Sequence, residues 1–303
     1  KAKGLLEQSL LIYKKYFPEN HAGIARALSY LGNVHRDLGN FEEAKDLLEQ
    51  SLLIYKKYFP ENHVGNARTS AYLGIVHTIL GNYEKAQSLL EQSLLIYQNH
   101  LSKNHDGVAW VLAHLGDVYG QLQDYEKART LFEQSITLYK EHFPEDHIKT
   151  GWALSSLGDI YRTLGDYEKA KNTLEESLLI YKKHLSENNI VIAGILVYLG
   201  LVYKDSGNYE KAKDLLEQSL VLYKKHFPKD HSEVAWALAH LGDTYRAMGE
   251  HEKAKLLLEE SVLIYKKHFS ENHSEVIWAS KCLNNVYHEL DKHENEKAKS
   301  LSE

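Results

Sequence analysis

The chain has little of what pins a small fold covalently: one cysteine, Cys282, and only four prolines among 303 residues. A lone cysteine excludes an internal disulfide framework and fits a reducing compartment, so a cytoplasmic location is expected. No apolar run approaches the ~18 residues that a membrane span needs, and no secretory leader pattern stands at Lys1. Positive charge is not in excess. With 36 lysines and arginines against 42 aspartates and glutamates, the net charge of -6 offers no broad attraction for nucleic acid phosphates. Strand-like alternation is missing, as are a phosphate-binding glycine loop, a nucleophile elbow and a His-Glu-x-x-His pattern. What remains is an all-α, non-catalytic protein that needs no cofactor, nucleic acid or membrane. Its hydrophobic content of 43% is that of a folded chain.

What is present is a period of 42 residues. Leu31-Gly32 returns as Leu73-Gly74, Leu115-Gly116, Leu157-Gly158, Leu199-Gly200 and Leu241-Gly242, with an eroded copy at Leu283-Asn284. A second block close to LEQSLLIY ends at Tyr13, Tyr55, Tyr97, Tyr139, Tyr181, Tyr223 and Tyr265. Such a period marks units that stack on their neighbours without a central core. Residues 1–303 therefore read as a single solenoid. Its repeats span 22–63, 64–105, 106–147, 148–189, 190–231 and 232–273, with partial copies at 1–21 and 274–303. Stacked arrays offer long surfaces to partners and seldom close a catalytic pocket.

Within residues 106–147, Val108, Leu112, Leu115, Tyr119 and Leu122 mark one helical face. Ala109, Ala113 and Gly116 put small side chains beside it, where a second helix can approach. A break at Gln123-Asp124 follows, which elsewhere reads Gly-Asn, Gly-Asp or Gly-Glu. Glycine suits the left-handed position past a helix end, and Asn or Asp suits the next helix start. Ala128, Leu131, Phe132, Ser135, Leu138 and Tyr139 then form the stripe of a second, antiparallel helix. Between units, Asn or Asp stands at 20, 62, 104, 146, 188, 230 and 272, and is the expected N-cap of the next first helix. Glu233 and Glu275 extend Asp230 and Asn272 into capping boxes.

These residues resemble the tetratricopeptide repeat, and within it the 42-residue kind found in kinesin light chains. The shared features are the Leu-Gly pair, an aromatic three residues on (Tyr119, Tyr161, Tyr203, Tyr245), the Gly-Asn/Asp-Tyr turn and the second-helix Ala. The linker Phe17-Pro18-Glu19-Asn20-His21 and the stretch Cys282-Leu283-Asn284-Asn285 are similar as well. The resemblance implies a right-handed superhelix whose first helices line a concave groove that takes a peptide or partner protein. It carries over groove candidates: Asn33, Arg36, Trp110, His114, Asp117, Trp152, Asp159, Arg162, Trp236, Asp243, Arg246, Trp278, Lys281 and Asn285. An acidic ridge at Asp117, Asp159 and Asp243, partly offset by Arg162 and Arg246, implies a basic or neutral ligand.

The tryptophans share one repeat position and read either as binding anchors or as filler between units. The recurring linker histidines do not make a metal site. Equivalent residues stand a helix spacing of ~8–10 Å apart, whereas zinc donors lie ~2.0–2.1 Å from the ion. Lys281 and Asn285 alone match the spacing of a carboxylate clamp, which is too little to build one. The terminal copies are expected to expose Leu6, Leu10 and Tyr13 at one end and Val286 and Tyr287 at the other, supporting weak head-to-tail self-association. The alternatives to a groove-binding scaffold are a self-associating structural array and the regulatory arm of a larger protein.

Overall fold

The computed structural model describes residues 2–19, 21–100, 106–143, 147–186 and 189–300. These residues are helical throughout, joined by short turns. The helices are α1 (Ala2–Tyr16), α2 (Ala22–Asp37), α3 (Phe41–Tyr58), α4 (Val64–Ile79), α5 (Tyr83–His100), α6 (Asp106–Gln121) and α7 (Tyr125–His142). They continue as α8 (Ile148–Thr163), α9 (Tyr167–His184), α10 (Ile190–Asp205), α11 (Tyr209–His226), α12 (Ser232–Ala247), α13 (His251–His268) and α14 (Ser274–Ser300). Even-numbered helices are the first of each repeat and odd-numbered ones the second. The all-α, repeat-pair fold class expected from the period is the one observed.

Two devices recur across the helix pairs, although the equivalent Ser93 in α5 is buried without a bonding partner. A Cβ on Gly242 would meet Leu258 Cγ at 2.8 Å, so only glycine lets α12 and α13 close to this distance. The serine of the second block is also buried. Ser51, Ser135, Ser219 and Ser261 each donate to a first-helix carbonyl of the same repeat (Ala25, Ala109, Ala193, Ala235) at 2.7–2.8 Å. Each satisfied hydroxyl keeps a polar group affordable in the core.

The intra-repeat turns follow the reading of the sequence. Gly39, Gly81, Gly165, Gly207 and Gly249 take φ between 76° and 84°, and Gln123 adopts 63° at the same position. Asp124, Asp166 and Asn208 then cap the second helix by accepting from the backbone N–H three residues on, at 3.2 Å. Asn40 and Glu250 occupy the same place without that bond.

The inter-repeat linker differs from expectation. The residue capping the next first helix is not the Asn or Asp but the histidine after it. Nδ1 of His21, His63, His147, His231 and His273 accepts from the backbone N–H two residues on, at 3.0–3.3 Å. The same rings pack on the linker phenylalanines Phe17, Phe59, Phe143, Phe227 and Phe269, with centroids 3.7–5.0 Å apart. An imidazole can stack and accept at once, which explains why it displaces the shorter cap. The proposed capping boxes at Asp230 and Asn272 are therefore absent. The one described linker with leucine, Leu185, ends in Asn189, whose Oδ1 takes over the bond to Val191. Asn20, Asn104, His105, Asp146 and Asn188 lie outside the described residues.

In the partial copy at 274–303, α14 runs on for 27 residues as one helix. Leu290-Asp291-Lys292 stands where the other repeats place their left-handed glycine, so nothing turns the chain. Val286, expected to be exposed, is fully buried in a cluster with Ala279 and Cys282. Leu6, Leu10 and Tyr13 are half-buried.

The chain forms two compact units, residues 1–160 and 161–303, with the boundary inside α8. In the first, α2 touches α4 and α4 touches α6; in the second, α10 touches α12 and α12 touches α14. No two second helices touch one another among the described residues. First helices therefore lie on the inner side of each unit, and second helices are splayed on the outer side.

Candidate partner-binding face

The inner face of each unit carries an aromatic ladder built from first helices. In residues 1–160, Trp110 packs edge-on against Tyr72 of the preceding repeat, with centroids 5.5 Å apart, and against His114 one turn along at 5.0 Å. His114 in turn lies 4.7 Å from Trp152. In residues 161–303 the same order recurs: Tyr198–Trp236 at 5.5 Å, Trp236–His240 at 5.6 Å and His240–Trp278 at 4.5 Å. All four indoles are half-buried. Each both fills the seam between repeats and presents an edge to solvent, so the two readings of the tryptophans are not exclusive.

The partners Tyr72, Tyr198 and His240 were missed in the sequence. Their signal is a spacing of 38: Tyr72 with Trp110, His114 with Trp152, Tyr198 with Trp236, and His240 with Trp278. The same spacing sets Tyr30 under the Arg68 guanidinium at 5.0 Å.

The acidic ridge is corrected at its best-placed member. Asp243 is only 7% exposed and is held by two cations. Lys204 Nζ donates to Oδ2 at 2.7 Å, and Arg246 reaches Oδ1 through Nε at 3.0 Å and Nη2 at 2.9 Å. Burial alone would raise this carboxyl, but Lys204 and Arg246 outweigh it and hold it below the usual range. The network continues along the unit. Arg162 donates to Asp205 at 2.7 Å, Arg246 also reaches Glu289 at 3.4 Å, and His251 stands 3.1 Å from Glu289. Asp243 therefore presents no net acid. Lys204 and Asp205 escaped notice because they lie 39 and 43 residues from their partners, one repeat away.

The remaining candidates are scattered. Asp117 Oδ2 lies 3.4 Å from His114 Nδ1, while Asp159 is half-buried. Arg36 folds onto its neighbour Asp37 at 2.7 Å. Asn33 is half-buried with Oδ1 sealed and unbonded. Lys281 and Asn285 are exposed on α14. Among the described residues no group of three His, Cys, Asp or Glu side chains could hold a metal ion, and no helix is long and apolar enough to cross a membrane.

Comparison with solved structures shows the same architecture. A kinesin light chain-type protein of nearly identical TPR-like repeats from Podosopora anserina aligns with a TM-score of 0.55 at 23% identity, over 69% of this chain and 99% of that one. BtubC (BKLC) from P. vanneervenii aligns at 0.57 and 19%, over 88% and 94%. The APC/C hetero-tetramer Cut9-Hcn1 aligns at 0.67 and 20%, over 94% of this chain and 46% of that one. At these identities the likeness is one of fold. No curated protein sequence matches. Tetratricopeptide repeat models match residues 1–57, 65–141 and 191–267, and a second model of that name matches 153–184. With most of its length under those models and its helix pairs as described, the chain belongs to the tetratricopeptide repeat family.

Proposed function

We propose that the chain is a non-catalytic interaction scaffold of a reducing, cytoplasmic compartment, binding a peptide along the inner face of its first helices. The observation that carries this reading is a contrast between helices. Along the second helices, the sequence hardly changes from repeat to repeat. Along the inner face it diverges: the Trp110 position reads Arg26, Arg68, Trp110, Trp152, Gly194, Trp236 and Trp278. A position that meets the same neighbour in every unit stays constant, whereas one that meets a non-repeating ligand diverges. Half-buried indoles, beside a neutralised Asp243 in the second unit, favour a ligand with apolar or aromatic anchors.

The test is partner capture with the chain and with Trp152→Ala/Trp236→Ala, which places one lesion in each unit. Loss of anchoring rings should weaken binding by about 2 kcal/mol or more, with the helical signal retained at the assay temperature. Unchanged binding beside a collapsed melting point would make the tryptophans packing residues only.

A further inference from the structure

We infer that the outer faces of α9, α11 and α13 form a lateral interface with a second copy of this chain, in which second helices pair antiparallel. Leu179, Val221 and Leu263 stand 42 residues apart at one repeat position and are 69%, 67% and 62% exposed. Nothing in the fold of a single copy calls for an aliphatic there. Helix propensity would be served as well by Ala, Glu or Lys, and better than by the β-branched Val221. Recent duplication does not account for the constancy either, because the first helices have diverged over the same copies.

The charges around each aliphatic give the partner. Two acidic or amide side chains lie at i−4 and i−3, and two lysines at i+3 and i+4, all on the same helical face. The sets are Glu175, Glu176, Lys182 and Lys183 in α9; Glu217, Gln218, Lys224 and Lys225 in α11; Glu259, Glu260, Lys266 and Lys267 in α13. This arrangement is its own complement. When two such helices pack antiparallel with their aliphatics opposed, i−4 of one meets i+4 of the other, acid against base at both ends. A two-fold axis along the stacking direction does this for all three helices at once and keeps the repeats in the same order, giving a closed, isologous contact. A second copy carries the same 42-residue spacing and so meets every site in register.

Beside the column, an open recess of about 640 Å³ between α9 and α11 is lined on one part by Ile192, Leu196, Val221 and Leu222 and on the other by Lys182, Asp214, Glu217 and Gln218. It offers an opposing copy both apolar ground and the charges of the set. Several of these groups also have partners within the chain, which would re-pair on association: Tyr245 donates to Glu217 from a part-buried position, Tyr287 donates to Glu259, Lys266 lies 3.5 Å from Glu271 and Lys267 4.0 Å from Asp230. In residues 1–160 the same set surrounds the exposed Leu11 in α1 and Leu53 in α3, but Thr137 in α7 and Gln98-Asn99 in place of the lysine pair in α5 interrupt it, so only α9, α11 and α13 carry it over three successive repeats.

Sedimentation of the whole chain tests it. A dimer should form with rising concentration below about 1 mM, the affinity range of weak specific contacts, and should loosen with added salt. The triple variant Leu179→Glu/Val221→Glu/Leu263→Glu, with unchanged helical signal, should raise the dissociation constant about 100-fold or more. Reversing the lysines (Lys182, Lys183, Lys224 and Lys225 to Glu) should give a monomer. So should reversing the acids (Glu175, Glu176 and Glu217 to Lys). An equimolar mixture of the two reversals should restore the dimer. A wild-type chain that stays monomeric, a dimer indifferent to the triple variant, or a mixture that fails to reassociate would each overturn the proposal.

Discussion

Histidine has two distinct uses here, and each makes a prediction at the scale of one side chain. In the linker it is a cap with a stacked ring. Replacing His231 by Ala should cost about 1 kcal/mol of stability, the usual effect of losing an N-cap. His231→Asn should recover much of it, because Asn189 already does this job, but not the packing on Phe227. Chemical denaturation of the three proteins checks the order. On the inner face, His240 is held between Trp236 and Trp278 with Nδ1 sealed and unbonded. Burial, with help from the nearby Lys204 and Arg162 cations and against the pull of Asp243, lowers its pKa to about 3. The sign follows from linkage. Above the unfolded value near 6.5 both states are neutral and stability is complete; as pH falls below it, the unfolded chain takes up a proton that the folded one refuses. This one group should remove about 1.5 kcal/mol between pH 6.5, where the unfolded imidazole is half protonated, and pH 5, the slope approaching ~1.4 kcal/mol per unit. An imidazole resonance that titrates near 6.5 in the folded protein would contradict it.

At the scale of the helix, the left-handed turn is the most sharply specified feature and also the one that the chain violates once. Gln123 holds φ 63° where its counterparts are glycine. A non-glycine side chain there costs about 1 kcal/mol, so Gln123→Gly should stabilise the α6–α7 pair by that order, and Gly207→Ala should destabilise α10–α11 similarly. Hydrogen exchange at the helix ends on either side reports both. These turns, the helix pairing and the buried serine stripe were legible in the sequence because each depends on residues within a few positions or on the period itself. The linker cap was misread because the general preference for Asn and Asp outranked a histidine whose advantage lies in a ring four residues away. The charge of Asp243 was misread for the same kind of reason: its neutralising Lys204 belongs to the preceding repeat. Contacts between equivalent faces of successive units are legible only when the sequence is compared with itself at offsets near 38 to 43.

At the scale of the molecule, every contact between helices in the described residues joins neighbours or next-but-one neighbours along the chain. Nothing ties a helix pair to one several repeats away. The consequence is mechanical. Pulled along its stacking direction, such a unit has no distant tie to break and behaves as a series of springs coupled only to their neighbours, each yielding when the packing of its own helix pair gives way. Force-extension curves should show discrete releases of about 140 Å of chain, one 42-residue repeat at ~3.4 Å per residue, rather than one rupture of a whole unit. Between releases the molecule should lengthen and recoil reversibly, so that a protein recognised by its surface would double as an elastic tether whose compliance is set by the number of repeats.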